Sequence, residues 1–330
     1  MKRKIISFVL TLVMLIPFTI STFAIEQENT IPVVMATDNN YVLPTIVTMT
    51  SMLENSKSTT KYEYYLLLSG NVEAKNREKL LSLRNRYKNC SIKLIDMKDK
   101  FKGVYISNHI TTPTYYRLVL PSLLSNIRKV IYLDVDMIIK KDLSELFNVN
   151  IEKYYLAGVK NPHGYICKDE NFNWADYLGV KSIDQYINGG MLVMNLEKMR
   201  EDNLENKFLN FINNKNLNNE KIFLHDQDVI NSVCYNKIYH LPCKYNLMLH
   251  YEAKSVNDFD NNKWLRECYN KNEWLEAHEC PYVLHYSSWK KPWKKGFTRI
   301  YRAEEWWQYA KKTPYYNEIK ENSMKELRKP

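Results

Sequence analysis

The chain has 330 residues, of which 45% are hydrophobic and 25% are charged, a composition typical of a folded globular protein. Its length is sufficient for one large domain or two modest domains with a buried core. The formal net charge of +10 favours anionic ligands, but no long run of lysine and arginine indicates a nucleic-acid-binding protein. The six cysteines form no Cys-x-x-Cys pair, so we predict neither zinc nor a disulfide framework and interpret them as small buried side chains.

The first 30 residues differ from the rest of the chain. Three basic residues, 2–4, precede an uncharged apolar core over 5–18, and Thr22-Phe23-Ala24 offers a small-residue cleavage site. This layout predicts a secretory signal peptide, with a retained membrane anchor through residues 5–25 and a misassigned start codon as the alternatives. The protein would then be exported or membrane-anchored, and otherwise cytoplasmic at the membrane face.

Strand and helix patterns alternate in the next part of the chain. Strands are predicted over 31–36, 64–68 and 91–95, and amphipathic helices over 42–53 and 73–87. The β-α-β-α-β order predicts an α/β fold with a Rossmann-like, mostly parallel central sheet flanked by helices. No Gly-x-Gly-x-x-Gly follows the first strand, so the dinucleotide fingerprint is absent. Ligands of such sheets bind at the carboxyl ends of the strands, where Asp38 follows the first strand.

A buried strand over 130–133 leads into the acidic pair Asp134 and Asp136. The i, i+2 spacing puts both carboxylates on one face of a strand, where they repel each other unless a cation lies between them. Two other Asp-x-Asp triplets occur, at 226–228 and 258–260, and the latter lies in a polar run typical of a solvated loop. We therefore predict a divalent metal site at Asp134 and Asp136 that binds phosphate oxygens.

The second half of the chain supplies further candidates. The aromatic segment 161–180 is irregular and is either a lid or a surface insertion. Asn188-Gly189-Gly190 precedes a strand over 191–194 and predicts either a bulge or tight turn or a close backbone approach to a ligand. Asp226 stands before the helix 229–234, where an aspartate is ordinarily a cap.

His285 ends the last predicted strand, 281–285. A single histidine there is usually structural, but the acidic pair favours a ligand role, and imidazole favours Mn²⁺ over Ca²⁺. Arg117 and Lys291 could supply positive charge to phosphates. Tyr41 could stack on a nucleotide base, and Asp38 could accept a hydrogen bond from that base.

Taken in order, these motifs resemble those of the retaining glycosyltransferases of family 8, which include bacterial lipo-oligosaccharide galactosyltransferases and glycogenin. The resemblance covers about 31–293 and is carried by residues 36–41, 115–118, 130–136, 188–190, 225–231 and 285–293. It implies the nucleotide-diphospho-sugar transferase (GT-A) fold, a catalytic domain over 31–293 and a C-terminal helical tail over 294–330. The chain departs from the family in having Ser288 where a glycine usually brings the backbone close to phosphate.

The resemblance also implies roles for single residues. Asp134, Asp136 and His285 would ligate Mn²⁺, with Mg²⁺ as the alternative ion. Contacts to the UDP-sugar donor are implied for Asp38, Asn40, Tyr41, Arg117, Asn188, Gly189 and Lys291. The catalytic pair would be Asp226 and Gln227, which would face the sugar near its anomeric carbon, with Gln227 as an electrostatic helper.

The implied reaction is the transfer of glucose or galactose from a UDP-sugar to a hydroxyl of a glycan or lipid-linked sugar, with retention. The metal and Lys291 would stabilise the charge that develops on the leaving UDP. A non-catalytic UDP-sugar-binding module is the alternative that Ser288 suggests, and a nucleotidyltransferase is disfavoured because no basic template groove is evident. Acceptor contacts are expected from 161–180 and 241–330.

Overall fold

A computed structural model of the chain describes residues 29–98, 100–101, 111–162, 172–218, 222–249 and 255–325. Residues 1–28, which include most of the predicted signal peptide or anchor, lie outside this described part, and so does Cys167. In the described ranges, no helix combines the length and the apolar character needed to cross a membrane. The described cysteines are free thiols, and Cys280 is exposed, so the interpretation of the cysteines as buried is wrong for that residue.

Strands and helices alternate through the first half of the chain, as the sequence predicts. The strands are β1 (Asn29–Thr37), β2 (Thr60–Leu68), β3 (Cys90–Asp96), β4 (Lys129–Leu133), β5 (Met137–Ile139), β6 (Leu156–Lys160), β7 (Ile187–Asn195), β8 (Ile238–Leu241), β9 (Leu247–Met248) and β10 (Val283–His285). The α-helices are α1 (Val42–Glu54), α2 (Ala74–Arg86), α3 (Leu120–Leu123), α4 (Ser144–Phe147), α5 (Trp174–Leu178), α6 (Leu196–Glu201), α7 (Leu204–Leu217), α8 (Asp226–Val233), α9 (Asp258–Asn261), α10 (Lys263–Cys268), α11 (Lys271–Glu279), α12 (Ala303–Lys312) and α13 (Tyr316–Lys325). Short 3₁₀ helices occupy Thr112–Val119 and Cys243–Tyr245.

The large sheet has the strand order β3-β2-β1-β4-β7-β6-β8. Its first four strands are mutually parallel, and β7 runs antiparallel to both β4 and β6. The mostly parallel α/β sheet predicted from the sequence is therefore confirmed. A second, small sheet has the strand order β5-β10-β9, and all of its strands follow β4 in the sequence. Its central strand β10 pairs antiparallel with β5 and parallel with β9.

Both faces of the large sheet are buried at its centre, which explains why β1, β4 and β7 are largely continuous apolar runs, whereas the edge strand β3 is mostly exposed or half-buried. Val33 and Met35 of β1 belong to one core cluster, whereas Val34 and Ala36 belong to the cluster on the opposite face. α12 packs against α1, where Asn55 Nδ2 donates to the Tyr309 hydroxyl at 2.6 Å. The division between a catalytic domain over 31–293 and a helical tail over 294–330 stays a prediction.

Several local predictions need correction. Gly189 and Gly190 do not form a tight turn, because they lie inside β7. They fall instead at an irregularity of that strand: the pairing passes from Gly158 and Leu192 to Lys160 and Ile187, so residues 188–191 of β7 face a single residue of β6, which agrees with the predicted bulge. Asp226 does not cap its helix: the cap position belongs to His225, and the Asp226 side chain pairs with Arg117. Segment 161–180 contains the short helix α5, and its residues 163–171 lie outside the described part. Residues 258–260 form the start of a helix and not a loop.

Candidate active site

A cavity of about 550 Å³ opens at the carboxyl ends of β1 and β4. This edge of an open α/β sheet is where ligands bind, and the volume is within the range of small-molecule sites. The cavity is lined by every site residue predicted from the sequence except one: Asp38, Tyr41, Arg117, Asp134, Asp136, Asn188, Gly189, Asp226, Gln227, His285 and Lys291.

The exception is Asn40, which is exposed and does not line the cavity. Its backbone N–H donates to Asp38 Oδ1 at 2.9 Å, and that of Tyr41 donates to the same oxygen at 3.1 Å. The Asp38 carboxylate therefore stabilises the turn after β1 and fixes the position of the Tyr41 backbone. That ring packs edge-on against Trp293, with 6.0 Å between ring centroids. The predicted contact of Asn40 with the nucleotide stays a prediction.

Asp134, Asp136 and His285 converge where the two sheets meet. Each offers one ligand atom, and these atoms all lie within 4.8 Å of one another. Asp134 and Asp136 follow β4 in the connection to β5, and His285 ends β10, which pairs with β5. Pairing of His285 with Met137 thus brings the imidazole beside the acids although they are far apart in sequence.

A chain of hydrogen bonds fixes the orientation of the His285 ring. The Gly190 N–H donates to Asn188 Oδ1 at 2.9 Å, so that oxygen is an acceptor and Asn246 Nδ2 donates to it as well, also at 2.9 Å. Asn246 Oδ1 is then left to accept from His285 Nδ1 at 3.0 Å. Because Nδ1 carries the proton, Nε2 of a neutral ring presents a lone pair toward the carboxylates.

These lone pairs fit a divalent cation. His285 Nε2 lies 3.2 Å from Asp136 Oδ1 and 4.0 Å from Asp134 Oδ2. Asp136 Oδ1 is buried and has no hydrogen bond from any described residue. Oxygen and imidazole ligands together suit Mn²⁺ and similar ions. The cluster therefore meets the chemical requirement of a metal site, with the hydrogen-bonded histidine that such sites usually have.

Lys291 adds a positive charge beside the cluster. Its Nζ donates to Asp136 Oδ2 at 2.5 Å and to the Tyr286 carbonyl at 2.7 Å. Burial raises the pKa of Asp136, but the Lys291 ammonium beside it outweighs burial, so the net pKa lies below its usual range. Asp136 is therefore ionised and available as a ligand at neutral pH.

Arg117 connects the cluster to the Asp226 end of the cavity. Its guanidinium donates to Asp134 Oδ1 at 2.8 Å, pairs with Asp226 Oδ2 at 2.9 Å and donates to the Gly189 carbonyl. Burial raises the pKa of Asp226 to about 6, more than Arg117 and the Thr114 hydroxyl lower it. Arg117 is thus held by two carboxylates and a backbone oxygen.

The Gln227 amide is also held in one orientation. Its Oε1 accepts from the Gly189 N–H at 2.9 Å and from Asn188 Nδ2 at 3.1 Å. Its Nε2 donates to the Tyr186 hydroxyl at 3.2 Å, and that hydroxyl donates to Asp228 Oδ1 at 2.6 Å. Gln227 is neutral, and three hydrogen bonds position its amide against β7 and Tyr186.

The structure adds residues for which the sequence analysis proposed no role. Thr114, Tyr186, Asp228 and Asn246 hold the predicted residues in place, and Phe223 and Ser287 line the cavity. Asp228 belongs to the motif 225–231, one of those that carry the family resemblance, and this was the only indication in the sequence that it has a role at the site. Asn246 follows a stretch with no clear periodicity, and nothing in the sequence distinguishes it from the many other asparagines.

Comparisons with known proteins agree on one family. The family model described as "Glycosyl transferase family 8" matches residues 32–296. General stress protein A of Bacillus subtilis (strain 168) is 24% identical over 293 residues, which are 88% of this chain and 96% of that protein. The lipopolysaccharide 1,2-glucosyltransferase of Escherichia coli is 25% identical over 313 residues, 92% of this chain and 86% of that protein.

Solved structures share the fold. The apo structure of the bifunctional glycosyltransferase WbbM superposes with a TM-score of 0.75 at 24% identity, over 90% of this chain and 52% of that chain. The chain thus spans about half of WbbM. The galactosyltransferase LgtC, in complex with donor and acceptor sugar analogs, has a TM-score of 0.70 at 21% identity, over 86% of this chain and 96% of that chain. These are GT-A glycosyltransferases, so the predicted fold class is confirmed.

Proposed function

The chain belongs to glycosyltransferase family 8 and is therefore an enzyme that transfers a hexose, and we propose that it moves glucose or galactose from a UDP-sugar to a glycan or lipid-linked acceptor with retention. The observation that carries the proposal is the joining, in one cavity, of the cluster Asp134, Asp136 and His285 with Asp226 and Gln227. The E. coli relative is a lipopolysaccharide glucosyltransferase, and LgtC binds donor and acceptor sugar analogs, which supports this donor and acceptor class.

One end of the cavity suits the diphosphate. A divalent cation, Mn²⁺ with Mg²⁺ as the alternative, held by Asp134, Asp136 and His285 would supply positive charge against the departing UDP. Lys291 lies against Asp136 and supplies a second positive charge that is already fixed before reaction. Asp38, Asn40 and Tyr41, in the turn after β1, are proposed to contact uridine, and the backbone N–H groups of Asn40 and Tyr41 hold this turn through Asp38 Oδ1.

The other end of the cavity suits the transferred sugar. Arg117, Asn188 and Gly189 are proposed to hold the donor between the cluster and the catalytic pair. Asp226 is buried and paired with Arg117, so its carboxylate is not free to attack an anomeric carbon. Gln227 has no titratable proton and serves as an electrostatic partner. Retention therefore proceeds without a covalent intermediate on a side chain of this pair.

The N-terminal segment is a separate proposal. Residues 5–25 would export the enzyme or associate it with a membrane. Mass spectrometry of the mature protein would show whether residues 1–24 remain.

The substitution Asp136→Asn tests the function. It removes a charge from the cluster and is expected to abolish Mn²⁺-dependent binding of UDP and transfer from every donor in a UDP-sugar panel. Asp142→Asn is the matched control, because Asp142 is also a buried aspartate but accepts from the Lys57 and Ser144 N–H groups, both at 2.9 Å, outside the cavity. This control should lose stability and keep transfer.

Two outcomes would contradict the proposal. Undiminished turnover by Asp136→Asn would remove the cluster from the reaction. Calorimetry that shows UDP and Mn²⁺ binding to the wild-type chain, with neither hydrolysis nor transfer for any donor, would instead favour the non-catalytic binding module.

A further inference from the structure

Four aromatic rings form a cluster beside the catalytic pair, here called the aromatic platform: Phe172, Trp174, Tyr177 and Phe223. The Phe223 ring centroid lies 5.2 Å from that of Phe172, 5.5 Å from that of Trp174 and 5.3 Å from that of Tyr177. The side of Phe223 away from these rings is open, since the residue is 46% exposed and lines the cavity. Aromatic clusters in a core hide their apolar surface, so this open ring is unusual.

Exposure and position together single out Phe223. The large hydrophobic side chains that are exposed in the described part of the chain are Phe223, Tyr239, Leu275, Trp289 and Met324. Of these, Phe223 and Trp289 line the cavity, and Phe223 is the one that belongs to the platform. An exposed apolar ring in a cavity that also holds charged residues is suited to a ligand that is itself partly apolar and partly polar.

Hydrogen bonds keep the platform rigid. The Phe223 N–H donates to the Tyr177 hydroxyl at 3.2 Å, and that hydroxyl donates to Asp228 Oδ2 at 3.0 Å. The Lys215 ammonium lies over the Tyr177 ring, 4.3 Å from its centroid. A ring fixed in this way can bind a ligand without losing much side-chain entropy.

The platform is tied to the catalytic pair through Asp228. This carboxylate accepts from Tyr177 and also from Tyr186, whose hydroxyl accepts from Gln227 Nε2. Phe223 precedes Asp226 by three residues, and both line the same cavity. A molecule that rests on Phe223 therefore lies beside the residues proposed to face the anomeric carbon.

We propose that Phe223 is the acceptor subsite and that it stacks against the apolar C–H face of a pyranose ring in the acceptor glycan. This inference rests on the proposed function and deepens it. A pyranose has one face of ring C–H groups and hydroxyls around its edge, so stacking leaves a hydroxyl free to point toward Gln227. The UDP part of the donor, by contrast, is polar and charged and suits the opposite end of the cavity, where Lys291 and the proposed divalent cation would supply positive charge.

Saturation-transfer NMR on the full chain with UDP and Mn²⁺ tests the platform directly. The probes are the methyl glycosides of glucose, galactose and N-acetylglucosamine. We expect saturation of ring C–H protons with wild-type protein and with Phe223→Trp, and about tenfold weaker binding with Phe223→Ala. In transfer assays, the KM for the saccharide should rise about tenfold in Phe223→Ala, and much more than the KM for the donor.

Tyr239→Ala is the matched control. Tyr239 is an exposed ring packed against Tyr154 at 5.4 Å, outside the cavity, and its loss should leave sugar binding at the wild-type level. The inference is overturned if no glycoside is saturated by wild-type protein, if Phe223→Ala binds sugars as wild type does, or if its donor KM rises as much as its acceptor KM. Failure of the proposed function is distinguishable, because it would appear as no UDP release from any UDP-sugar by the wild-type chain.

Discussion

Replacement of Gly190 by alanine tests the metal cluster with the smallest possible change. A Cβ at this position would lie 2.4 Å from His285 Cε1 and 2.7 Å from Asp134 Oδ2. An ordinary contact begins at 3.4 Å, so the imidazole must withdraw by about 1 Å. The ring is only 3% exposed and is held by Asn246, so it cannot turn away without breaking that hydrogen bond.

This displacement should be fatal to metal binding but not to folding. Ligand distances in metal sites vary by only about 0.2 Å, so two displaced ligands cannot hold the same ion. We expect Gly190→Ala to lose about 1–3 kcal/mol of folding free energy through overpacking. Its affinity for UDP in the presence of Mn²⁺, measured by titration calorimetry, should fall by at least about 100-fold.

Gly158→Ala separates crowding from metal binding. A Cβ at Gly158, in β6, would lie 2.6 Å from Ile187 Cδ1, so this variant is also overpacked, but the three atoms nearest the new methyl group belong to Ile187 and Leu192 and not to the cluster. It should show a similar drop in melting temperature and wild-type binding of UDP with Mn²⁺. The reasoning is refuted if Gly190→Ala binds UDP with Mn²⁺ as tightly as Gly158→Ala does.

Three further predictions concern single side chains. The Ser287 hydroxyl is buried in the cavity wall without a hydrogen bond from any described residue, so Ser287→Ala should weaken UDP binding about tenfold by calorimetry if that hydroxyl donates to phosphate. Asn246→Leu removes the acceptor that orients His285, and Mn²⁺ affinity measured by electron paramagnetic resonance should fall by about 10–100-fold; unchanged affinity would contradict the orienting role. Burial and the Arg302 charge lower the pKa of His278 to about 4. The unfolded chain therefore binds the proton first as pH falls from about 6.5 to 4, so stability is lost over that window, and thermal melts of His278→Gln should show a shallower loss.

The parts of the site that follow local patterns could be predicted from the sequence. Asp38 and Asp134 come directly after the buried strands β1 and β4 of the large sheet, and strand ends on one edge of a sheet meet. β1 and β4 are apolar enough to be recognised as strands from the sequence. The acidic pair could therefore be placed at the ligand-binding edge, whereas His285, which ends a strand of the small sheet, was joined to it by its ligand chemistry and by the family resemblance.

The parts that depend on short strands could not be predicted. β5 and β10 have three residues each and β9 has two, too few to show any periodicity. Asn246 stands directly before β9, and its contact with His285 exists because β9 pairs with β10. The predicted capping role of Asp226 is wrong because of another long-range contact. An aspartate at a helix start usually caps the helix, but here the Asp226 carboxylate forms an ion pair with the buried Arg117 from a distant segment.

The adjacent glycines of β7 have a role that neither of the predicted alternatives describes fully. The backbone N–H of Gly190 donates to Asn188 Oδ1, and that of Gly189 donates to Gln227 Oε1. Because a backbone N–H can only donate, each bond identifies the amide oxygen of its partner. The first bond sets the orientation of Asn246 and hence of the His285 ring, and the second sets that of Gln227. A side chain at Gly190 would collide with His285, and one at Gly189 would come within 3.3 Å of Asp226. Gly190 therefore leaves no room for a side chain and Gly189 leaves little, and because the backbone comes this close, a single strand orients both ends of the site.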